Sequence, residues 1–391
     1  MIRQPILERL AGSGRLAAAV DAPLLLAVLA LLGLGLVMVA SSSLELAARN
    51  FDNPYHFFHR QLLFAGLGVA AAVVFWLIPL QRWETAGPLL LLSIMLLLIM
   101  VLLPGVGRTV NGATRWIPLG VFNLQVSEPV KLLVVLYLSG YIVRHYTTLR
   151  LHFLGFVRPL IVLGFGTVLL LLQPDFGGAV IMLAIGMGML FLAGAKLWQF
   201  VALGGTILVA MSFLALATPY RVARLTAFLD PWQDPFATGF QLTQSLIAIG
   251  SGSWFGTGLG GSVQKLFYLP EAHNDFLFAV FAEEFGFVGV VFLIGLFALV
   301  VWRAFVIGLL AERGGHCYGS HVAFGIGIWI GLQSAVNLAV NMGLLPTKGL
   351  TLPFLSYGGS SLIVTLASIG LLLRVYREAQ VPVPKIRGRS G

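Results

Sequence analysis

Three stretches of this chain carry side chains that could do chemistry. In Ser127-Glu128-Pro129-Val130-Lys131 an acid and a base stand three residues apart within an otherwise apolar run. On a helix they share a face and can pair. The spacing fits a structural ion pair, and it equally fits a Lys131 aimed at an anionic ligand with Glu128 holding it in place. The second stretch, Pro270-Glu271-Ala272-His273-Asn274-Asp275, leads into a long apolar segment. Asp275 there could cap a helix, where a short acid is favoured by the free amides and the dipole. The same position offers a carboxylate at the water–lipid boundary, within reach of a lipid head group. Burial would raise its pKa and a helix N-terminus would lower it. The third stretch is Thr351 to Ser361, with Gly358, Gly359, Ser360 and Ser361, preceded by Pro346-Thr347-Lys348-Gly349. Glycines beside hydroxyls permit a broken helix whose free amides bind anions. Close helix packing through small residues would give the same composition.

Other features carry less. Glu283 and Glu284 read as partners for another span rather than as catalysts. Gly256, Gly258 and Gly261 match a G-x-G-x-x-G pattern, but no strand–helix unit of a dinucleotide fold surrounds them. The seven histidines form no metal-ligand spacing, and the single Cys317 excludes an internal disulfide.

The elements that must position these residues follow from solubility. Charged residues are 10% of the chain and hydrophobic ones 58%, and the mean hydropathy is +0.94. A soluble domain carries about 25% charged residues. Uncharged runs such as Ala22–Ala40, Pro88–Leu103 and Phe287–Val301 approach the roughly 20 residues that cross a bilayer as a helix. In hydrocarbon every backbone amide needs an internal partner, which leaves helices or a closed barrel, and runs this continuously apolar exclude the barrel. The expected fold class is an all-α polytopic membrane protein of about ten spans. They fall near 22–43, 61–79, 86–103, 124–143, 157–173, 178–194, 197–217, 275–303, 320–342 and 359–376. Of the 24 Lys and Arg residues, most collect at the two termini and in the loops after even-numbered spans, so both termini are expected in the cytoplasm. The domains are then a cytoplasmic segment 1–21, a membrane domain 22–376 and a basic tail 377–391. The long connection 218–274 is expected outside. It is rich in aromatics, and Pro219–Leu229 reads as a helix lying in the interface. Asp175, Asp230, Asp234, Glu271 and Asp275 fall on that same outer side.

Taken in order, several segments resemble the shape, elongation, division and sporulation (SEDS) family of peptidoglycan glycosyltransferases. They are Gly112-Ala113-Thr114-Arg115-Trp116-Ile117, Ser127-Glu128-Pro129, Gln173-Pro174-Asp175-Phe176-Gly177, Pro270–Gly286 and Ser356-Tyr357-Gly358-Gly359-Ser360. The resemblance spans about residues 20–376, and Leu345–Leu352 is similar to the division branch rather than the elongation branch. It implies a septal polymerase of lipid II that inverts the anomeric centre, forms β-1,4 glycan and releases undecaprenyl pyrophosphate. It implies Asp275 as the base. Glu128 and Lys131 match the family's central cavity, with Lys131 countering the pyrophosphate. Arg115, Lys348, Arg221 and Arg224 are further candidates for a diphosphate clamp. No protein cofactor is expected, though a divalent cation (Mg or Mn) could accompany the substrate pyrophosphate. The implied partners are lipid II and the growing glycan strand, a class B penicillin-binding transpeptidase of the FtsI type and other divisome membrane proteins, with no nucleic acid. The implied location is the inner membrane at the septum. An elongation-type polymerase, a lipid II flippase and a non-catalytic divisome scaffold are the rival readings. The absence of paired inverted repeats weighs against transport, and intramembrane Glu128, Lys131 and Glu283 weigh against the scaffold.

Overall fold

The computed structural model describes residues 20–110, 112–120, 122–205, 230–233, 239–266, 268–346 and 349–381. In chain order the elements are α1 (Ala22–Asn50), α2 (His56–Leu77), α3 (Leu80–Thr85), α4 (Gly87–Met100), β1 (Arg108–Val110), β2 (Ala113–Pro118), β3 (Asn123–Gln125), α5 (Ser127–Arg144), α6 (Tyr146–Leu151), α7 (Phe153–Leu172), α8 (Phe176–Leu192), α9 (Phe240–Ser251), α10 (Leu277–Arg313), α11 (Cys317–Asn341) and α12 (Gly359–Ala379). Residues 197–205 are also helical.

Six of these helices, α1, α2, α7, α10, α11 and α12, are long and apolar enough to cross a membrane, and α4 and α8 are shorter apolar helices. Leu89, Leu92 and Leu96 on α4, Ile161 and Phe165 on α7, and Val288, Val291 and Phe292 on α10 are exposed. Outward apolar faces of this extent belong to a protein solvated by lipid. The span expected near 197–217 lies mostly outside the described residues, as does the interfacial helix expected over 219–229. The chain is a multi-pass membrane protein.

The bundle is organised around α5, which packs against α4, α8, α11 and α12. Its Val130, Val135, Leu138 and Ile142 are fully buried. Around it α12 lies along α2, and α10 lies along both α1 and α11. At one end Asp21 accepts from the Leu24 amide as N-cap of α1 and forms an ion pair with Arg303 of α10. Glu378 of α12 accepts from the Leu80 amide at the start of α3, 3.1 Å away. These contacts gather at one end the loops whose basic residues the sequence places in the cytoplasm.

The other end is built differently from an all-helical expectation. Between α4 and α5 the chain forms a three-stranded antiparallel meander in the order β1-β2-β3, with Trp116 opposite Gln125. Strands this short carry no apolar run long enough to mark them in the sequence. A further helix, α9, packs on α10 and α11 within the long connection.

The eighth expected span also departs from a continuous helix. Gly286 takes φ 66° and ψ −166° inside α10, a combination essentially reserved for glycine. The break frees the carbonyls of Glu283 and Glu284 and the amides of Phe287 and Val288. The glycine-rich connection after α9 takes all four: Thr257 N donates to Glu283 O (2.9 Å), Gly258 N to Glu284 O (3.0 Å), Phe287 N to Ser253 O (2.9 Å) and Val288 N to Trp254 O (3.1 Å). Hydrocarbon supplies no hydrogen bonds, so an interrupted helix needs such a backbone partner. The glycine pattern at Gly256 and Gly258 therefore serves this docking. A Cβ on Gly286 would sit 2.3 Å from the Gly256 nitrogen. Gly286→Ala is expected to destabilise the protein by more than about 1 kcal/mol, read as a lowered unfolding temperature in detergent. An unchanged midpoint would contradict the docking.

Candidate functional site

Asp275 sits in the tight turn that precedes α10, in the segment where Glu271 adopts a positive φ of 56°. The Glu271 carbonyl accepts from the amides of Asn274 and Phe276 at 2.9 and 3.4 Å, and its carboxylate accepts from Asn274 Nδ2 at 2.6 Å. The residue before α10 is Phe276, and no side chain caps the helix. Of the two roles open to Asp275 from its position, capping is thus not the one its carboxylate takes.

The turn is bolted to the irregular segment before α12. Ser356 Oγ donates to Asn274 O at 2.6 Å, and the Tyr357 amide donates to His273 O at 2.9 Å. Gln61 of α2 donates to Ser356 O from the other side. The expected broken segment around Thr351–Ser361 is present: α12 begins only at Gly359. Its hydroxyls serve the fold, with Ser356 Oγ accepting from the Leu352 amide and Ser360 Oγ accepting from the Gln125 amide at the end of β3. Gly349 faces the acid closely, since a Cβ built there would lie 3.2 Å from Asp275 Oδ2.

Among the described residues no side chain donates to the Asp275 carboxylate. Burial is the main reason its pKa is raised to about 7, and Glu271 pushes it further in the same direction while Arg115 opposes both. His273 is pushed down by burial, against the pull of Glu271. Its ring packs against Phe57 and Tyr357. Arg115 projects from β2. Its Nε donates to Gln173 O at 3.4 Å, and its Nη2 donates to Pro174 O. Asp175, next in that motif, caps α8 through the Gly178 amide at 3.0 Å. The Gln173–Gly177 segment is therefore a platform for Arg115.

Lys131 and Glu128 lie deeper. Lys131 is 1% exposed; its Nζ donates to Glu128 Oε1 at 2.9 Å and to Gln333 Oε1 at 2.6 Å, and it stands 5.3 Å from the Trp329 ring. Gln333 Nε2 then donates to Thr351 O at 2.9 Å. The pair is thus joined to the 349–358 segment through α11. Glu128 Oε2 is buried and has no donor among the described residues. Of the other clamp candidates, Lys348, Arg221 and Arg224 lie outside the described residues.

Two groups escape the sequence reading. Gln333, Asn337 and Asn341 of α11 are buried polar residues. Their spacing of four in an apolar span is the signal that could have found them. Lys265 donates to Glu284 Oε1 at 2.7 Å and to Ser41 Oγ at 2.9 Å. Glu283 accepts from Ser262 Oγ at 2.5 Å and from the Val263 amide at 3.0 Å. Among the described residues both glutamates thus take partners chiefly from the loop after α9, with Ser41 from another span, because the break in α10 admits that loop. Among the described residues no three His, Cys, Asp or Glu side chains converge as metal ligands.

A turn-borne carboxylate, an arginine on a small sheet and a buried lysine–glutamate pair make up the candidate site of this membrane protein. A family model for the FtsW, RodA and SpoVE cell cycle proteins matches residues 22–381. The chain belongs to that family. It is 78% identical over 366 residues to the probable peptidoglycan glycosyltransferase FtsW of Thioalkalivibrio sp. (strain K90mix), covering 94% of this chain and 92% of that protein. Among solved structures it is similar to a chain of a peptidoglycan synthase complex that coordinates polymerization and crosslinking. The TM-score is 0.75 at 32% identity, over 92% of this chain and 98% of that one. The rod shape determining protein RodA of Thermus thermophilus matches with a TM-score of 0.66 at 30% identity, covering 92% of this chain and 97% of that one.

Replacing Lys131 with Met would leave the buried Glu128 without its counter-charge, and a loss of about 3–5 kcal/mol is expected. Lys131→Met combined with Glu128→Leu should recover most of it. Thermal unfolding of the single and double variants checks this, and equal destabilisation in both would contradict it.

Proposed function

We propose that this chain is a peptidoglycan glycosyltransferase that polymerises septal glycan during cell division, with lipid II as donor and Asp275 as base. The observation that carries the role of Asp275 is the state of its carboxylate in the turn before α10. It is undonated among the described residues, held at a pKa near neutrality, and flanked by Arg115 on the sheet. A general base works best when its pKa lies near the operating pH.

In one displacement the Asp275 carboxylate takes the proton of the acceptor sugar hydroxyl while that oxygen bonds to the anomeric carbon of the donor. The carbon–oxygen bond to the diphosphate breaks, the configuration inverts, and the lipid diphosphate leaves with the electron pair. Arg115 is positioned to take part of the charge that gathers on the diphosphate. Lys348, Arg221 and Arg224 are further candidates for that role. Lys131 has two acceptors in Glu128 and Gln333 and an aromatic face beside it. It therefore acts by setting the charge and geometry of the cavity wall rather than as a free clamp.

A lipid-linked donor reaches such a site from the bilayer, and its head group is met at the outer face by the acids and cations gathered there. The family relationship to a complex that couples polymerization to crosslinking supports a single-span class B transpeptidase as working partner. The septum is the place where a division-type polymerase acts.

Incubation of the purified protein and its transpeptidase partner with lipid II should yield glycan strands. Asp275→Asn should lower the rate at least about 10²-fold. Polymer made equally well by that variant would remove Asp275 as base. For the native enzyme, the rate should fall on acidification through about pH 7, the value to which the Asp275 pKa is raised. Stability runs the other way. A carboxyl whose pKa is raised by folding favours the unfolded chain, which ionises first, so the native chain loses stability as pH rises from 3.8 to about 7 and levels off above that. Asp275→Asn removes this effect and should be at least as stable as the native chain above that pH, as thermal unfolding in detergent would show.

A further inference from the structure

The carbonyl of Asp275 has no partner in its own helix. The first turn of α10 closes on Phe276 instead, with Ala279 N donating to Phe276 O at 3.0 Å. Asp275 O accepts two side-chain amides from α11, Asn337 Nδ2 at 3.0 Å and Asn341 Nδ2 at 3.1 Å. Asn337 Nδ2 also donates to Leu350 O at 2.6 Å, and Asn341 Nδ2 donates to Asn337 O at 2.9 Å. One turn earlier, Gln333 donates to Thr351 O while accepting from Lys131. Gln333, Asn337 and Asn341 thus form a single polar row, each residue four after the last on one helix face. All three are buried.

We propose that Asn337 and Asn341 are positioning residues for the base: their amides grip the main chain of Asp275 and tie it to the segment carrying Gly349 and Leu350. The proposal rests on the glycosyl-transfer reading above and deepens it. Two features separate this grip from general packing. It acts on the residue that bears the carboxylate, through a carbonyl that the first turn of α10 does not use. It also fixes that residue against Gly349, whose lack of a side chain lets the backbone come up to the acid. A third link, through Gln333, fixes the same segment relative to Lys131. Side chains on one rigid helix therefore set the spacing between the base and the buried cation. The charged groups acting on the Asp275 carboxylate are Glu271 of its own turn and Arg115 of β2, with His273 two residues away in the same turn. None of these belongs to α11. The row holds the acid in place without touching its charge.

Asn337→Leu and Asn341→Leu keep the branched shape and number of heavy atoms, remove the donors and suit an apolar surrounding. Each is to be assayed with the transpeptidase partner on lipid II across pH, with folding checked by size exclusion and thermal unfolding. The expected result is a kcat lowered about 10- to 100-fold with KM little changed. The acidic limb should also move to lower pH, because a loosened turn lets water reach the carboxylate. A folded variant with native kcat and an unmoved limb would overturn the proposal. So would failure of both variants to fold, since a purely structural role would then suffice. Asp275→Asn, run alongside, separates the two claims. Activity in that variant sinks the base itself, whereas its inactivity beside fully active Asn337→Leu and Asn341→Leu sinks only the positioning.

Discussion

Hydrocarbon offers no hydrogen bonds, and that one constraint shapes every irregular part of this bundle. Among the described residues the chain leaves regular helix at Gly286, in the turn 271–276 and through 349–358, among other places. Each departure releases backbone groups that must find partners outside their own helix. At Gly286 the connection after α9 supplies backbone for backbone, with four hydrogen bonds across the break. In the turn and the segment before α12, side-chain amides of α11 and the Ser356 hydroxyl do the same work. The irregular segments are held in place by the neighbours that satisfy them.

The same poverty of solvent sets the electrostatics. Removal from water pushes the Asp275 carboxyl up, and the nearby Glu271 adds to it. Arg115 is the brake. Its position is decided by the three-stranded meander, since Val126 N donates to Arg115 O at the entry to α5 and the guanidinium rests on Gln173 and Pro174 carbonyls. A small sheet at the end of a helical bundle thus has a clear use: it fixes a cation opposite an acid borne by a different element. The Lys131–Glu128 pair shows a complementary solution, in which two charges enter the interior together and Lys131 donates to Gln333 as well. Removing either partner from such a pair is far more damaging than replacing both.

Much of this is legible in the residues alone. The mean hydropathy and the long uncharged runs require a polytopic helical protein, and Glu128 with Lys131 three residues later reads directly as a pair. The acids and glycines around Asp275 and Ser356 stand out because they interrupt apolar sequence. The polar residues of α11 are equally visible at their spacing of four, yet neutral amides carry no charge to set them apart from ordinary helix-packing residues.

Composition and order alone thus determined the solvent, the helical class, the family resemblance and the list of candidate groups, because each depends on residue type and local period. Only the tertiary structure decided which of them meet. Asp275 is gripped by residues 62 and 66 positions further on, and Glu284 finds Ser41 across 243 positions. The break at Gly286 admits a loop that no local pattern could assign to it. Contacts between segments so far apart depend on how whole helices pack, and the shape that packing takes is a property of all the faces together rather than of any one stretch.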